Sequence, residues 1–399
     1  MINDATRRLF ADHNFRLYTI GSVVSWLSFF AQTLAVAWLT WELTHSPTWL
    51  AIVTVLDIAP YFILGPWGSV LADRVDRHRM LFIAYGVSLL QSLLLAGASM
   101  AGVLGIAALC SLAFAHGCIH AFSVPASYGL LPRVVGHAQL PAAIAFSSSY
   151  RTLAMFVGPA LAGVLLAWFP VHVCFLFNAA GYAVYLLMLH GMRLPPAAPV
   201  QSIVRSVYAD YRDGLRYSFT HPLIGLLLVL TFFSDALRGL THRLLPAFAD
   251  RLFGSGASGL AILAGATGLG AAAASIWLSQ QRDTGRMRGV ILWGLGLGIT
   301  TTLLFVATRD IRVAIAARVV FGLASEAALT ATIILLQSHV AEAYRSRVMG
   351  LWFMVSQLSN LLLLVAGPLA ERFGLDPPIY GVCLLALAAL MVFRLKMRP

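Results

Sequence analysis

The chain has 399 residues, of which 59% are hydrophobic and only 11% charged, with a mean hydropathy of +0.83 and a formal net charge of +11. A soluble protein needs roughly 25% charged residues to solvate its surface, so soluble enzymes, disordered chains and fibrous proteins are excluded, and the chain reads as a polytopic membrane protein. Of its 27 basic residues only Lys396 is a lysine, which removes a P-loop, whose lysine follows a glycine-rich turn, and Schiff-base catalysis.

Apolar runs follow one another at about residues 15–39, 48–71, 80–100, 104–128, 139–168, 172–191, 222–247, 257–278, 289–307, 312–338, 348–370 and 378–395. Crossing about 30 Å of hydrocarbon takes about 20 residues. Lipid admits only helices or closed barrels, and these runs do not alternate with period two. The expected fold is therefore all-α, with twelve transmembrane helices. The first run is too long for a signal-peptide core and ends in no small-residue cleavage site, so it stays a span. With the N-terminus inside, 19 Lys/Arg fall on the cytoplasmic side and five outside (Arg243, Arg251, Arg309, Arg312 and Arg372). That bias predicts cytoplasmic termini, and the preference for arginine over lysine points to a bacterial chain, for which the inner membrane is the expected location. The arginines sit between apolar runs rather than in one patch, so no nucleic-acid partner is expected. Cys110, Cys118, Cys174 and Cys383 lie in apolar segments without CxxC spacing and read as small core residues.

The longest polar stretch, about 192–220, opens with Pro195–Pro196. After it, Val204, Val207, Tyr208, Tyr211 and Leu215 recur at helical spacing opposite Arg205, Asp210, Arg212 and Arg216. This predicts an amphipathic helix lying on the inner membrane face. The expected organisation is an N-terminal six-helix bundle (1–195), a linker with that helix (196–220) and a C-terminal six-helix bundle (221–399). The halves echo each other: Asp73 after span 2 matches Asp283 after span 8, and Gly158–Pro159 in span 5 matches Gly367–Pro368 in span 11. Two motifs in register at nearly one offset point to a duplicated unit, a transporter architecture.

The loop after span 2 reads Gly68-Ser-Val-Leu-Ala-Asp73-Arg74-Val-Asp76-Arg77. Its glycine permits close helix approach, and its carboxylate among arginines suits a latch against a helix end or an opposing charge. The pattern resembles the loop 2–3 signature of the major facilitator superfamily (MFS), and with twelve spans in two halves the resemblance covers essentially the whole chain. In the second copy Leu278 stands where the first has Gly68, so a conformational switch rests on Gly68, Asp73, Arg74 and Arg77. Span 5 reads Ala154-Met-Phe-Val-Gly158-Pro159-Ala-Leu-Ala162-Gly163. It is similar to the family's antiporter motif GxxxGPxxGG, with alanine at two glycine positions, which adds Gly158 and Pro159 to the switch and implies export. The stretches 125–135, 213–223 and 344–352 are similar to the exporter branch that includes enterobactin and other siderophore exporters and macrolide efflux pumps.

Six ionisable residues fall well inside spans: Asp57, Arg151, Asp235, Arg238, Arg318 and Glu326. Each costs about 2.5–3.5 kcal/mol at mid-helix, so each needs a partner or water. Counting about 1.5 Å per residue puts Asp57 level with Arg151 and Asp235 level with Arg318, which predicts those two ion pairs. Arg151 and Arg318 are structural partners in that reading and contacts for an anionic cargo in the other, while Arg238 sits nearer the interface, where it can snorkel. Glu326 is left without a partner. The fold resemblance gives span 10 access to a central cavity, making Glu326 the first candidate proton carrier, with Asp57 and Asp235 as alternates. His116 and His120 share a face of span 4 as core or cavity histidines, with a proton relay or cargo contact as the other reading. No carboxylate lies near them in sequence, and no metal site is expected. Trp26, Phe29, Phe30 and Gln32 place an aromatic and polar face on span 1, with Trp26 and Gln32 as candidate cargo contacts. There is no HExxH, GxSxG or DxDxDG-type loop in the sequence, so neither an enzyme nor a cofactor is expected.

The expectation is a monomeric secondary transporter that exports a small organic molecule, a siderophore or drug-like compound, by proton antiport across the lipid bilayer. A proton-coupled importer of the same fold and a non-transporting membrane receptor are the rival readings.

Overall fold

The computed structural model describes residues 9–194, 207–279, 284–341 and 344–396, and they form helices throughout. Twelve of these helical stretches are long and apolar enough to cross a membrane. In chain order α1 is His13–Thr44, α2 Pro47–Arg74 and α3 Arg77–Met100. A continuous helical path then runs over Ile106–Trp168, broken at Gly136 (φ 71°, ψ 169°) into the spans α4 (Ile106–Gly136) and α5 (Ala142–Trp168). Only glycine reaches that backbone conformation without strain. Next come α6 (His172–Gly191), α7 (Val207–Thr220), α8 (Pro222–Arg243), α9 (Gly256–Ser279), α10 (Met287–Ala307) and α11 (Ile311–His339). The eleventh span is α12 (Arg345–Leu358) and α13 (Leu363–Phe373), joined by a 3-10 turn, and α14 (Asp376–Lys396) closes the chain.

Local chemistry sets the ends. Asp76 caps α3 by accepting the His78 and Arg79 amides, and Asp310 caps α11 by accepting the Arg312 amide, each satisfying otherwise orphaned donors. Pro222 opens α8, where its missing N–H costs nothing, and Gly374 (φ 96°) ends α13.

The helices form two compact units. One comprises residues up to Thr44 and 56–203; the other comprises His45–Val55 and the residues from Val204 onward. The first eleven residues of the second unit include the beginning of α2, where an added Cβ at Gly367 of α13 would meet Ala51 Cβ at 2.8 Å and the Pro47 carbonyl at 2.9 Å. In the first unit α1 packs on the α4–α5 path and on α6, and α3 packs on the same partners. Its core is built from Phe15, Tyr18, Leu81, Leu130, Tyr185 and Leu189. In the second, α9 and α10 pack on α11, and α14 packs on α8.

Each unit contains one especially tight helix crossing. In the first, Gly68 of α2 lies against the Ala121 carbonyl of α4, and Gly117 of α4 lies against the Asp57 carbonyl of α2. In the second, Gly270 of α9 lies against the Val319 carbonyl of α11, and Gly322 of α11 lies against the Thr267 carbonyl of α9. A Cβ at any of the four would overlap backbone. This reciprocal crossing is a repeat that motif offsets alone did not reveal.

Of the amphipathic stretch, Val204 and Arg205 lie outside the described residues, as do the side chains of Val207, Tyr208, Asp210 and Tyr211. Within α7, Arg212, Leu215 and Arg216 are exposed. Tyr217 stacks on Tyr344 at 4.3 Å, and its hydroxyl accepts the Ala341 amide at 3.1 Å.

Candidate functional site

A cavity of about 90 Å³ opens within the first unit. Its walls combine hydroxyls with aromatic rings. Tyr18, Ser25, Trp26 and Phe29 come from α1; Tyr85 and Ser88 from α3; His120, Ser123, Ser127 and Tyr128 from α4; Ser147, Ser148, Tyr150 and Arg151 from α5; and Tyr182 from α6. Arg151 is the cation among the lining residues, and no Asp or Glu joins it there. Its Nη1 donates to the Tyr128 hydroxyl at 2.6 Å, which orients the guanidinium without neutralising it. Such a surface offers positive charge, hydroxyl donors and acceptors, and flat rings to one guest.

Sequence reasoning placed Trp26, His120 and Arg151 among possible contacts, and all three line the cavity. It missed the tyrosines and serines. The signal was present in Ser147-Ser148-Ser149-Tyr150, a polar run inside an apolar span, but neutral hydroxyls carry too little insertion cost to stand out from packing residues.

Gln32 is a correction: it does not line the cavity. It is 3% exposed and its Oε1 accepts from Ser92 Oγ at 3.0 Å and Asn178 Nδ2 at 2.8 Å, while Asn178 Nδ2 also reaches Ser92 Oγ at 2.9 Å. These residues tie α1, α3 and α6 together, so the amide is spent on the frame. His116 likewise is absent from the cavity lining.

Neither predicted ion pair forms. Asp57 Oδ1 meets His116 Nδ1 at 2.6 Å instead of Arg151. Asp57 lies ten residues into α2 and His116 ten into α4, so the depth argument was sound, but it counted only formal charges and left histidine out. The pair sits beside the Gly117 crossing, and Phe29 stacks on both His116 and His120, at 5.5 and 4.8 Å between ring centroids. His120 thus joins the pair to the cavity wall.

Asp235 is closed not by Arg318 but by Arg238, one turn along the same helix, with Nη2 to Oδ1 at 2.6 Å. Depth fixes only height in the membrane, whereas a residue three positions away shares the face as well. Arg238 is therefore a partner rather than a free snorkelling side chain. It also lies within electrostatic reach of Glu326, so Glu326 has a basic neighbour that its own stretch of sequence did not show. Glu326 is buried, and its Oε1 accepts from the Thr330 hydroxyl at 3.2 Å. Arg318, 2% exposed, donates through Nε to the Thr267 hydroxyl at 2.9 Å and lies over the Phe305 and Phe321 rings at 5.3 and 4.9 Å.

At the end of the first unit that carries the loop 2–3 motif, Arg77 donates through Nε to the Ala72 carbonyl at 3.0 Å and through Nη1 to the Gly129 carbonyl at 2.9 Å. It clasps the end of α2 to α4. Asp76 accepts from Arg133 Nη1 at 3.4 Å, and His78 Nε2 pairs with the Leu189 carbonyl at 2.8 Å. Burial, which opposes charge on Asp76, is outweighed by the Arg79 and His78 amides and Arg133, which together hold its carboxyl below the usual range. Arg74 is exposed, while the Asp73 side chain and all of Asp283 lie outside the described residues. Gly158 packs directly on α1, where a Cβ would meet Phe30 Cβ at 2.6 Å and the Leu27 carbonyl at 2.7 Å, and Pro159 beside it is buried.

Known proteins share the sequence pattern and the fold of this chain. The family model of the MFS described as transmembrane secretion effector matches residues 8–399. Against an uncharacterised MFS-type transporter of Bacillus subtilis the chain spans about half of the relative's length, with 27% identity over 52% of this chain and 48% of that protein. A staphyloferrin A transporter of Staphylococcus aureus is 24% identical over 85% of each chain. An enterobactin exporter of Shigella boydii is 27% identical over 86% of this chain and 84% of its own. A bacterial homologue of the human lysosomal transporter Spinster, solved facing inward and unoccupied, shares the fold with a TM-score of 0.72 at 15% identity, covering 96% of each chain.

Proposed function

The chain belongs to the transmembrane secretion effector family of the MFS, and from that premise we propose that it exports a small, anionic, oxygen-rich organic molecule, of the siderophore or drug-like class, in exchange for protons. It is a multi-pass membrane transporter rather than an enzyme. The observation that carries the cargo class is the first unit's cavity, where Arg151 stands among hydroxyls and rings with no carboxylate in the lining. A guest bearing a carboxylate or catecholate oxygen meets a guanidinium that Tyr128 already aims. Its rings or hydroxyls meet the tyrosines, serines and Trp26. The export direction is supported by the antiporter-like span 5 and by a relative named as an enterobactin exporter.

Glu326 is the proposed proton carrier. Of the three acids inside the spans, Asp57 is held by His116 and Asp235 by Arg238, each at 2.6 Å, whereas Glu326 accepts from the neutral hydroxyl of Thr330. A carboxylate in that setting gains and loses its proton without first breaking an ion pair. Protonation at Glu326 and cargo binding at the cavity favour opposite facings of the transporter, so inward proton flow drives outward cargo flow. Arg77, Gly68 and Asp73 latch one facing. The protein works as a monomer in a bacterial cytoplasmic membrane with both termini inside.

The test compares metabolites in cells and medium by mass spectrometry, with and without this protein, under iron limitation. The reading expects one or more anionic, oxygen-rich compounds to be retained in cells lacking it. An unchanged profile, or accumulation only in cells that carry it, overturns the export reading.

A further inference from the structure

The two glycine crossings carry different chemistry. Beside the α2–α4 crossing, a carboxylate and an imidazole meet, Asp57 and His116. At the α9–α11 crossing, the residue of α9 whose carbonyl faces Gly322 is Thr267, and its hydroxyl receives Arg318 from α11. Where the first unit sets an acid against a base, the second sets a base against a neutral hydroxyl.

Arg318 is fully charged at any physiological pH. It is 2% exposed, and no Asp or Glu among the described residues forms a salt bridge with it. The groups around it on α8 do not supply the missing acid. Arg238, Arg243 and His242 lie in one electrostatic neighbourhood with it, and Asp235 gives its Oδ1 to Arg238 rather than to Arg318. Phe305 and Phe321 offer their ring faces to the guanidinium, which softens the charge without neutralising it. Of its five N–H donors, Nε is spent on Thr267, and Nη2 is buried without a partner. Buried cations are normally paired or hydrogen-bonded throughout.

We infer that Arg318 is an anion site in the second unit, taking one monovalent anion, a carboxylate or a halide, end-on at its Nη1–Nη2 edge. Nε is taken by Thr267 and Nη2 has no partner, so the end-on edge is the position offered to a planar carboxylate. This site is separate from the Arg151 cavity and does not depend on the export reading.

The experiment follows thermal unfolding of the purified full-length protein in micelles, at constant ionic strength, as isethionate is replaced by acetate or, in a second series, by chloride. The expected result is a midpoint that rises with the logarithm of anion concentration, by about 3 °C at a hundred times the dissociation constant. Each series is repeated in an R151Q background, which removes the cavity's own carboxylate-binding guanidinium; a rise persists there, which separates this site from the cavity. In that background R318M loses the rise and, without acetate or chloride, R318M unfolds no lower than its parent, because it removes a charge that no acid neutralises. R318K, which keeps the charge and guards against a folding failure of R318M, retains a chloride response and loses any preference for acetate. A response to acetate alone identifies a carboxylate such as a cargo group, and a response to chloride identifies a free inorganic anion; either supports the site. No logarithmic rise in the R151Q background, the same rise there in R318M, or an R318M less stable than its parent in isethionate overturns it.

Discussion

Replacing Gln32 with leucine tests whether this amide belongs to the frame or to the cargo path. The side chain accepts two hydrogen bonds, from Ser92 at 3.0 Å and Asn178 at 2.8 Å, on two other helices. Interhelical hydrogen bonds in membranes average about 0.6 kcal/mol each, so losing both removes about 1.2 kcal/mol. The stranded donors add the cost of buried groups without an acceptor, about 1–3 kcal/mol for a full loss. Ser92 and Asn178 still bond each other at 2.9 Å, which keeps that cost at the low end. The total is roughly 2 kcal/mol. N178L should cost a similar amount, and Q32L/N178L should cost less than the sum by roughly 1 kcal/mol, because both act on one network. Unfolding by SDS titration in mixed micelles measures all three, and transport in proteoliposomes measures the KM for cargo. Strictly additive costs would refute the network. Unchanged stability with a raised KM would return Gln32 to the cargo site.

Four further outcomes follow from the geometry. R151Q removes a charge-assisted contact of about 1.5–3 kcal/mol and should weaken anionic cargo binding roughly 10- to 150-fold, with Y128F weaker in effect, as read by equilibrium binding. E326Q should bind cargo but lose export driven by an imposed pH gradient; gradient-driven export at the wild-type rate removes Glu326 from the coupling. G68V drives a side chain into the Ala121 carbonyl and should cost at least about 1–3 kcal/mol, whereas G65V, with open space around its added Cβ, should unfold like wild type. D76A loses the α3 cap and about 1 kcal/mol at neutral pH. Because the folded carboxyl is held below its ordinary value, its contribution is present above about pH 4 and disappears as pH falls through the folded value, so wild type and D76A should converge on acidification.

The span edges were legible in the sequence to within a few residues because the membrane imposes one requirement on every crossing segment, a long apolar helix. Spans predicted at about 172–191 and 312–338 are His172–Gly191 and Ile311–His339 in the structure. The end of α4 was less legible. The helix continues to Gly136 rather than stopping near residue 128, since arginine at position 133 reads as loop in a hydropathy pattern but sits within the same continuous helix.

Partners were another matter. Composition and depth revealed that Asp57, Asp235 and Arg318 needed company, but not whose. Height along the membrane normal is nearly linear in residue number, so it can be counted; direction around the helix and the identity of the neighbouring helix cannot. Asp57 found a histidine on α4, Asp235 an arginine one turn away, and Arg318 two phenyl rings and a hydroxyl. The cavity depended still more on assembly, since it draws its lining from five helices. The sequence by itself determined the class, the number of spans and the family, because these follow from hydropathy and short contiguous motifs. Only the tertiary structure decided which buried charges are neutralised and which surface is offered to a guest, because both depend on side chains that approach from different helices.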